Sequence, residues 1–237
     1  MSGRRNNQNL TMDEAIISYY NVSLQEDNRD ILKDLDLEVY PGDMLYITGP
    51  IGCGKSTLLK SMYAEKPIKK GSAICVGLDL TRIKRREIPL LRRKIGLVFQ
   101  DYRLLNDRDN EKNIRFAMEC TGEKNRKRIK QRTHELSEAA GIEHLLNKMP
   151  YELSGGEKQL VSIVRALMNE PKLIIADEPT ANLDRENSRK VMYFLRGLSE
   201  KGTALIIATH DETIISEFPA ETHSIEMGQL TKIGTTL

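Results

Sequence analysis

The run Gly49-Pro50-Ile51-Gly52-Cys53-Gly54-Lys55-Ser56 carries the residue types, at the spacing, that cradling a polyphosphate requires. It fits the pattern G-x-x-x-x-G-K-[ST]. Its glycines let the backbone bend until successive amide hydrogens point inward at phosphate oxygens. Lys55 adds a point charge, and a helix starting near it adds a positive N-terminal dipole. Thr57 follows in the first turn of that helix, which the pattern extends to Tyr63. The Ser56 hydroxyl is a hard oxygen of the kind Mg2+ takes as a ligand. Four fixed positions recur by accident in roughly one chain in a hundred of this length. Here the match also follows a strand-like run, Met44 to Thr48, and opens a helix, as the chemistry demands.

A second group of residues complements the first. Leu173-Ile174-Ile175-Ala176 is an apolar run ending in two carboxylates, Asp177 and Glu178. At the C-terminal edge of a parallel sheet such groups face the ligand crevice. Beside a phosphate loop, the first carboxylate is suited to a Mg2+ ion and the second to polarising an attacking water. Thr203 to Thr209 is another apolar run, and His210 ends it within reach of a γ-phosphate. The other histidines, His134, His144 and His223, lie in polar surroundings and read as surface residues.

The elements that must position these groups are legible in part. Residues 14–22 and Leu35 to Tyr40 alternate as strands, with Pro41-Gly42 turning the chain after the second. Leu173 to Ala176 and Ala204 to Ala208 are apolar on both faces, as in central parallel strands covered on both sides. Each leads through a polar segment into a helix-like stretch, which argues for an α/β domain. Between Asp101 and Tyr151 strand-like runs stop, and helices are expected at Asn110–Cys120 and Lys127–Ala140. We read this span, residues 101–151, as a helical subdomain inserted into a core made of residues 13–100 and 152–237. Thr222–Met227 and Gln229–Ile233 flank Gly228 as a hairpin, and residues 1–12 read as a polar, disordered tail.

Composition sets outer limits. The 237 residues are 39% hydrophobic and 30% charged with a formal net charge of +2, so nothing global demands nucleic acid. Three cysteines without metal-type spacing suit a reducing compartment. No apolar run reaches the roughly 20 residues of a membrane-spanning helix, and the N-terminus lacks the apolar stretch of a secretory signal.

Leu153-Ser154-Gly155-Gly156-Glu157, taken with the two groups above, resembles the signature of the ABC-type ATPases. The resemblance runs from about Ala15 to Ile233, with the motifs in the family's order. It implies a P-loop NTPase fold: a RecA-like parallel core, an N-terminal antiparallel β subdomain and an inserted helical subdomain. It implies ATP and Mg2+ as ligands, with Ser56, Gln100 and Asp177 on the metal. Glu178, Gln100 and His210 are implied in catalysis. The active unit implied is a head-to-tail homodimer, in which Ser154, Gly155, Gly156 and Glu157 of one chain complete the nucleotide site of the other. Asn182-Leu183-Asp184 looks like the loop that crosses between the two.

Within the family, the stretch Asp79 to Asp101 with Leu104-Leu105 is similar to the FtsE-type cell-division ATPases. Asp177-Glu-Pro-Thr-Ala-Asn-Leu-Asp184 fits the wider group that includes lipoprotein-releasing and macrolide-export ATPases. This implies an integral, FtsX-like membrane partner and a place on the inner face of the cell membrane. Two departures stand out. Where the family stacks an aromatic residue on adenine, three positions after Val22-Ser23, this chain has Glu26, so weak discrimination between ATP and GTP is expected. Leu160 replaces an arginine common after the signature.

The basic runs Arg82 to Lys94 and Lys124 to Arg132 lack interleaved aromatic residues and read as solvated faces, with no nucleic acid expected. A soluble ABC ATPase acting on DNA or ribosomes would carry long coiled coils or two ATPase domains, and this chain shows neither. A nucleotide-binding regulator that does not hydrolyse would have no need of Glu178, Gln100 and His210 together.

Overall fold

The computed structural model describes residues 14–235 apart from Asn28, so the expectation for residues 1–12 lies outside the described residues. The chain opens with β1 (Ile17–Glu26) and β2 (Arg29–Val39), an antiparallel pair, and then β3 (Met44–Thr48). Helix α1 (Lys55–Met62) follows, then β4 (Lys70–Cys75) and the short β5 (Leu78–Asp79). Next come α2 (Ile88–Arg93), β6 (Ile95–Val98), α3 (Asn110–Cys120), α4 (Arg126–Ala139) and α5 (Gly155–Leu167). The last third is β7 (Leu173–Asp177), α6 (Arg185–Ser199), β8 (Ala204–Ala208), α7 (Glu212–Glu217), β9 (Glu221–Glu226) and β10 (Gln229–Thr235).

Two sheets result. One is antiparallel, in the order β2-β1-β4-β5; the other runs β10-β9-β3-β8-β7-β6. In the second, β9, β3, β8, β7 and β6 are parallel and β10 is an antiparallel edge. The central strands are apolar up to their C-terminal residues because both faces are covered. Leu45, Ile47, Leu173, Ile175, Ala204 and Ile206 join a core shared with β1, β2, β4 and α1. Tyr46, Ile174, Ala176, Leu205 and Ile207, which point the other way, join a core with α3, α4, α5 and α6.

The parallel order places the C-terminal ends of β3, β8, β7 and β6 side by side, and each delivers part of the site described below. The described residues between 101 and 151 contain α3, α4 and two short 3-10 turns, with no strand. Asp109 caps α3 by accepting from the Lys112 amide at 2.8 Å, and Asn125 caps α4. Helix α5 packs on α3 and α4 as well as on β6, so it belongs to both bodies.

The structure departs from the sequence expectations in places. β4 and α2 were not foreseen. β4, with a Gly-Ser pair and no clean alternation, buries only Ala73 and Cys75, and α2 buries only Leu91. His223 is not a surface residue: it is 8% exposed. It lies in β9, which is paired on one side with β3 and on the other with β10, and its Nε2 meets Glu221 at 2.7 Å. Polar neighbours made that strand look solvated, whereas its two covered edges bury it.

Candidate functional site

The loop from Gly49 to Gly54 joins the end of β3 to α1, and its glycines occupy positive-φ conformations that other residues rarely adopt. Gly49, Gly52 and Gly54 have φ of 133°, 81° and 113°. At Gly49 a Cβ would lie 2.6 Å from the Ile225 carbonyl oxygen, so the loop is pressed against β9 as well as bent. The Lys55 ammonium sits across the loop, donating to the carbonyl oxygens of Gly49 at 2.7 Å and Pro50 at 3.2 Å. The first amides of α1 open onto the same space.

A cleft of about 310 Å3 runs past this loop, lined by Gly52, Gly54, Lys55, Ser56, Thr57, Gln100, Asp177 and Glu178. Ile51 joins its rim, 96% exposed. Gly49, Pro50 and Cys53 belong to the loop but do not line this cleft. The Ser56 hydroxyl donates to Asp177 Oδ2 at 3.1 Å. Burial pushes the Asp177 carboxyl up from its ordinary value, and the neighbouring Glu178 charge adds to the effect. A half-buried carboxylate with this excess of negative charge, next to a hydroxyl and the Gln100 amide, is a set of hard oxygens that suits a divalent cation. Among the described residues no group of three or more His, Cys, Asp or Glu could hold an ion alone.

Glu178 follows β7 with φ of 49°, a left-handed backbone unusual for a non-glycine residue and a form of strain often stored at functional sites. Its amide donates to the Ala208 carbonyl at 2.9 Å, which pins the turn. Its carboxylate is held at both oxygens: His210 Nδ1 meets Oε1 at 2.6 Å, and the Thr209 hydroxyl donates to Oε2 at 3.3 Å. Thr209, 1% exposed, is a residue that sequence reasoning missed. A hydroxyl at a strand end next to the histidine was the only signal. His210 is itself exposed and lines a neighbouring cavity of about 450 Å3 with Thr48 and Gly49.

Ser154 to Glu157 do not line the cleft of their own chain. They form the capped start of α5. Ser154 Oγ accepts from the Glu157 amide at 3.3 Å, and the Glu157 carboxylate takes both the Ser154 amide and hydroxyl at 2.8 Å. Those two donors hold Glu157 below the usual carboxylate range. Gly156 is tightly fitted: a Cβ there would lie 2.5 Å from Asn187 Cγ. Asn187 is in turn held by Asp184, which accepts from its amide at 2.9 Å and its side chain at 2.6 Å. Asn182 touches the other end, donating to the Gln100 carbonyl at 3.5 Å. The Asn182–Asp184 loop thus spans from the cleft to the glycine turn. After Gln100, Arg165 of α5 secures the chain by donating to the carbonyls of Tyr102 and Arg103 at 2.8 and 2.6 Å. Leu160, on the same helix, is partly buried and packs against the core beneath.

A family model described as ABC transporter matches residues 32–181. The cell division ATP-binding protein FtsE of Streptococcus pneumoniae is 42% identical over 219 residues, 92% of this chain and 95% of that one. FtsE of Bacillus subtilis is 41% identical over 197 residues, 83% and 86% of the two chains. Among solved structures, a dimeric ATP-binding cassette in a post-hydrolysis state, bound to ADP and phosphate, superimposes with a TM-score of 0.82. It is 27% identical, and the match covers 93% of this chain and 99% of that one.

Proposed function

The chain belongs to the ABC transporter family of ATP-binding proteins, and from that premise we propose that it is the ATP-hydrolysing subunit of an FtsE-type cell-division complex. The observation that carries the reading is the joined pair of contacts at the cleft. Ser56 meets Asp177 below the phosphate loop, and Glu178 is held by His210 and Thr209 beside it.

In this reading the triphosphate lies along Gly52 to Thr57, and its oxygens take over the Lys55 ammonium from the Gly49 and Pro50 carbonyls. Ser56, Gln100 and Asp177 would hold Mg2+. The ion, when bound, neutralises charge on the β- and γ-phosphates. Glu178 orients a water for in-line attack on the γ-phosphorus and accepts its proton. With Nδ1 on Glu178, His210 keeps Nε2 for the γ-phosphate, so one side chain senses both the water-orienting group and the phosphate. Most of the rate comes from positioning and charge stabilisation.

The dimeric relative supports a homodimer here. Ser154 and Gly156 would then reach the γ-phosphate held by the second copy, with the Ser154 hydroxyl turning away from Glu157. Among the described residues no helix is long and apolar enough to cross a membrane. We therefore assign anchoring at the inner face of the cell membrane to a separate integral partner, FtsX-like in type. The test is phosphate release from ATP by the full chain, with retention of a membrane protein when the chain is pulled from solubilised membranes. Release should require Mg2+ and vanish in Lys55→Ala. Equal turnover in the two proteins would overturn the assignment.

A further inference from the structure

The cleft does not end at the phosphate loop. Beyond Gly52 and Gly54 it continues to Ile31 on β2 and Glu26 at the tip of β1. The base of a bound nucleotide must lie at this end, because the phosphates are fixed at the other. Among the described residues none that lines the cleft is aromatic, so no side chain among them offers a ring for the base to stack on. What it offers is one aliphatic side chain and one carboxylate.

That carboxylate is built into the fold. Glu26 pairs with Arg29 across the β1–β2 hairpin, and its Oε1 accepts from the Lys66 ammonium. Lys66 follows α1, and its amide donates to the Lys60 carbonyl at 3.2 Å. The turn that follows the helix begun at the phosphate loop therefore carries the lysine that holds Glu26. Both side chains are partly accessible, 46% for Glu26 and 28% for Lys66. Lys66 also keeps the Glu26 carboxyl below its ordinary range, so at neutral pH the pair is a carboxylate beside an ammonium.

We propose that Glu26 and Lys66 read the edge of a purine by hydrogen bonding, and that the site takes and hydrolyses GTP about as readily as ATP. The chemistry fits both bases. With one lone pair of Oε1 on Lys66, the carboxylate keeps acceptor sites on both oxygens, and the ammonium keeps two further donors. Guanine presents an O6 acceptor beside an N1–H donor, with a second donor at N2. The ammonium meets O6 and the carboxylate meets N1–H and N2–H. Adenine presents an N6 amino donor beside the N1 acceptor, and the same pair serves it in the opposite order. Ile31 packs on the ring face in either case. The reaction is unchanged. The water oxygen bonds to the γ-phosphorus, the bridging bond to the β-phosphate breaks to release GDP, and the water proton passes by way of Glu178 to solvent.

The inference rests on the phosphate-site reading, and the experiment separates the two. Phosphate release by the full chain is measured with ATP and with GTP, each with Mg2+. Binding of both nucleotides is measured for wild type, Glu26→Ala and Glu26→Tyr, with inorganic tripolyphosphate as a probe of the phosphate end alone. A charge-assisted hydrogen bond to a base supports about a tenfold effect. We therefore expect kcat/KM for GTP within about tenfold of that for ATP. Glu26→Ala should weaken GTP binding about tenfold and ATP binding less, because guanine loses two bonds to the carboxylate. Tripolyphosphate should bind all three proteins alike. Glu26→Tyr should shift preference toward ATP by supplying a ring. A wild-type preference for ATP of more than about tenfold, or nucleotide binding unchanged in Glu26→Ala, overturns the base reader. Failure of tripolyphosphate to compete with ATP would instead overturn the phosphate site.

Discussion

Replacing Glu178 by Gln isolates one atom's chemistry. The amide has the shape of the carboxylate, so the turn pinned by the Ala208 carbonyl and the left-handed backbone are kept. One oxygen remains to accept from His210 or Thr209, while the other position becomes an NH2 that cannot accept a proton. A positioned general base contributes about 10²- to 10⁴-fold, equivalent to roughly 3–5 kcal/mol of barrier. The electrostatics of binding change in the opposite sense. Glu178 is one of the charges that pushes Asp177 up, so removing it makes that carboxylate easier to ionise and reduces repulsion of the γ-phosphate. ATP affinity should therefore hold steady or rise while turnover falls by two to four orders of magnitude. Steady-state phosphate release and equilibrium binding of ATP, measured on the same preparation, give both numbers. Turnover within about threefold of wild type would refute the assignment of a base at Glu178.

Other predictions follow from single contacts. Gly49→Ala places a methyl 2.6 Å from the Ile225 carbonyl in a backbone region that costs roughly 1–3 kcal/mol for a side chain. Its Tm should fall by several degrees and its ATP binding should weaken, and a variant with wild-type values for both would contradict the loop geometry. Glu217 joins α6 to α7 through Arg189 and Arg185, which hold its carboxyl down to about 2. Its folded value lies below its unfolded one, so its contribution is complete above about pH 4.5 and fades as pH falls toward 2. The Tm gap between wild type and Glu217→Gln, followed by thermal scans from pH 7 to pH 3, should narrow on acidification. A gap that widens would count against the ion pair.

Those contacts also show why some of the molecule can be read from its sequence and some cannot. β8, and β7 as far as Ala176, were legible because strands buried on both faces are apolar on both, and α3 because strand-like runs stop in its stretch of the chain. The phosphate loop was legible because its backbone geometry admits few residues. β4 was not, since a strand that buries only two side chains has no pattern to show. His223 was misjudged because burial there comes from hydrogen-bonded neighbours on both sides, which local polarity does not report. The site divides the same way. Asp177 and Glu178 announce themselves at a strand end, whereas the grip of Thr209 on Glu178 links residues 31 positions apart. The pairing of Glu26 with Lys66, 40 positions apart, is equally invisible along the chain.

The central claim is that one chain's phosphate loop and the other chain's glycine turn make a single site for hydrolysis. The most direct measurement is a crystal structure of the Glu178→Gln protein with ATP and Mg2+. The account predicts two copies enclosing two ATP molecules, each triphosphate lying on Gly52 to Thr57 of one chain. Ser154 and Gly156 of the opposite chain should lie within hydrogen-bonding distance of the γ-phosphate. A triphosphate bound away from Lys55, or a dimer in which Ser154 faces solvent, would contradict it.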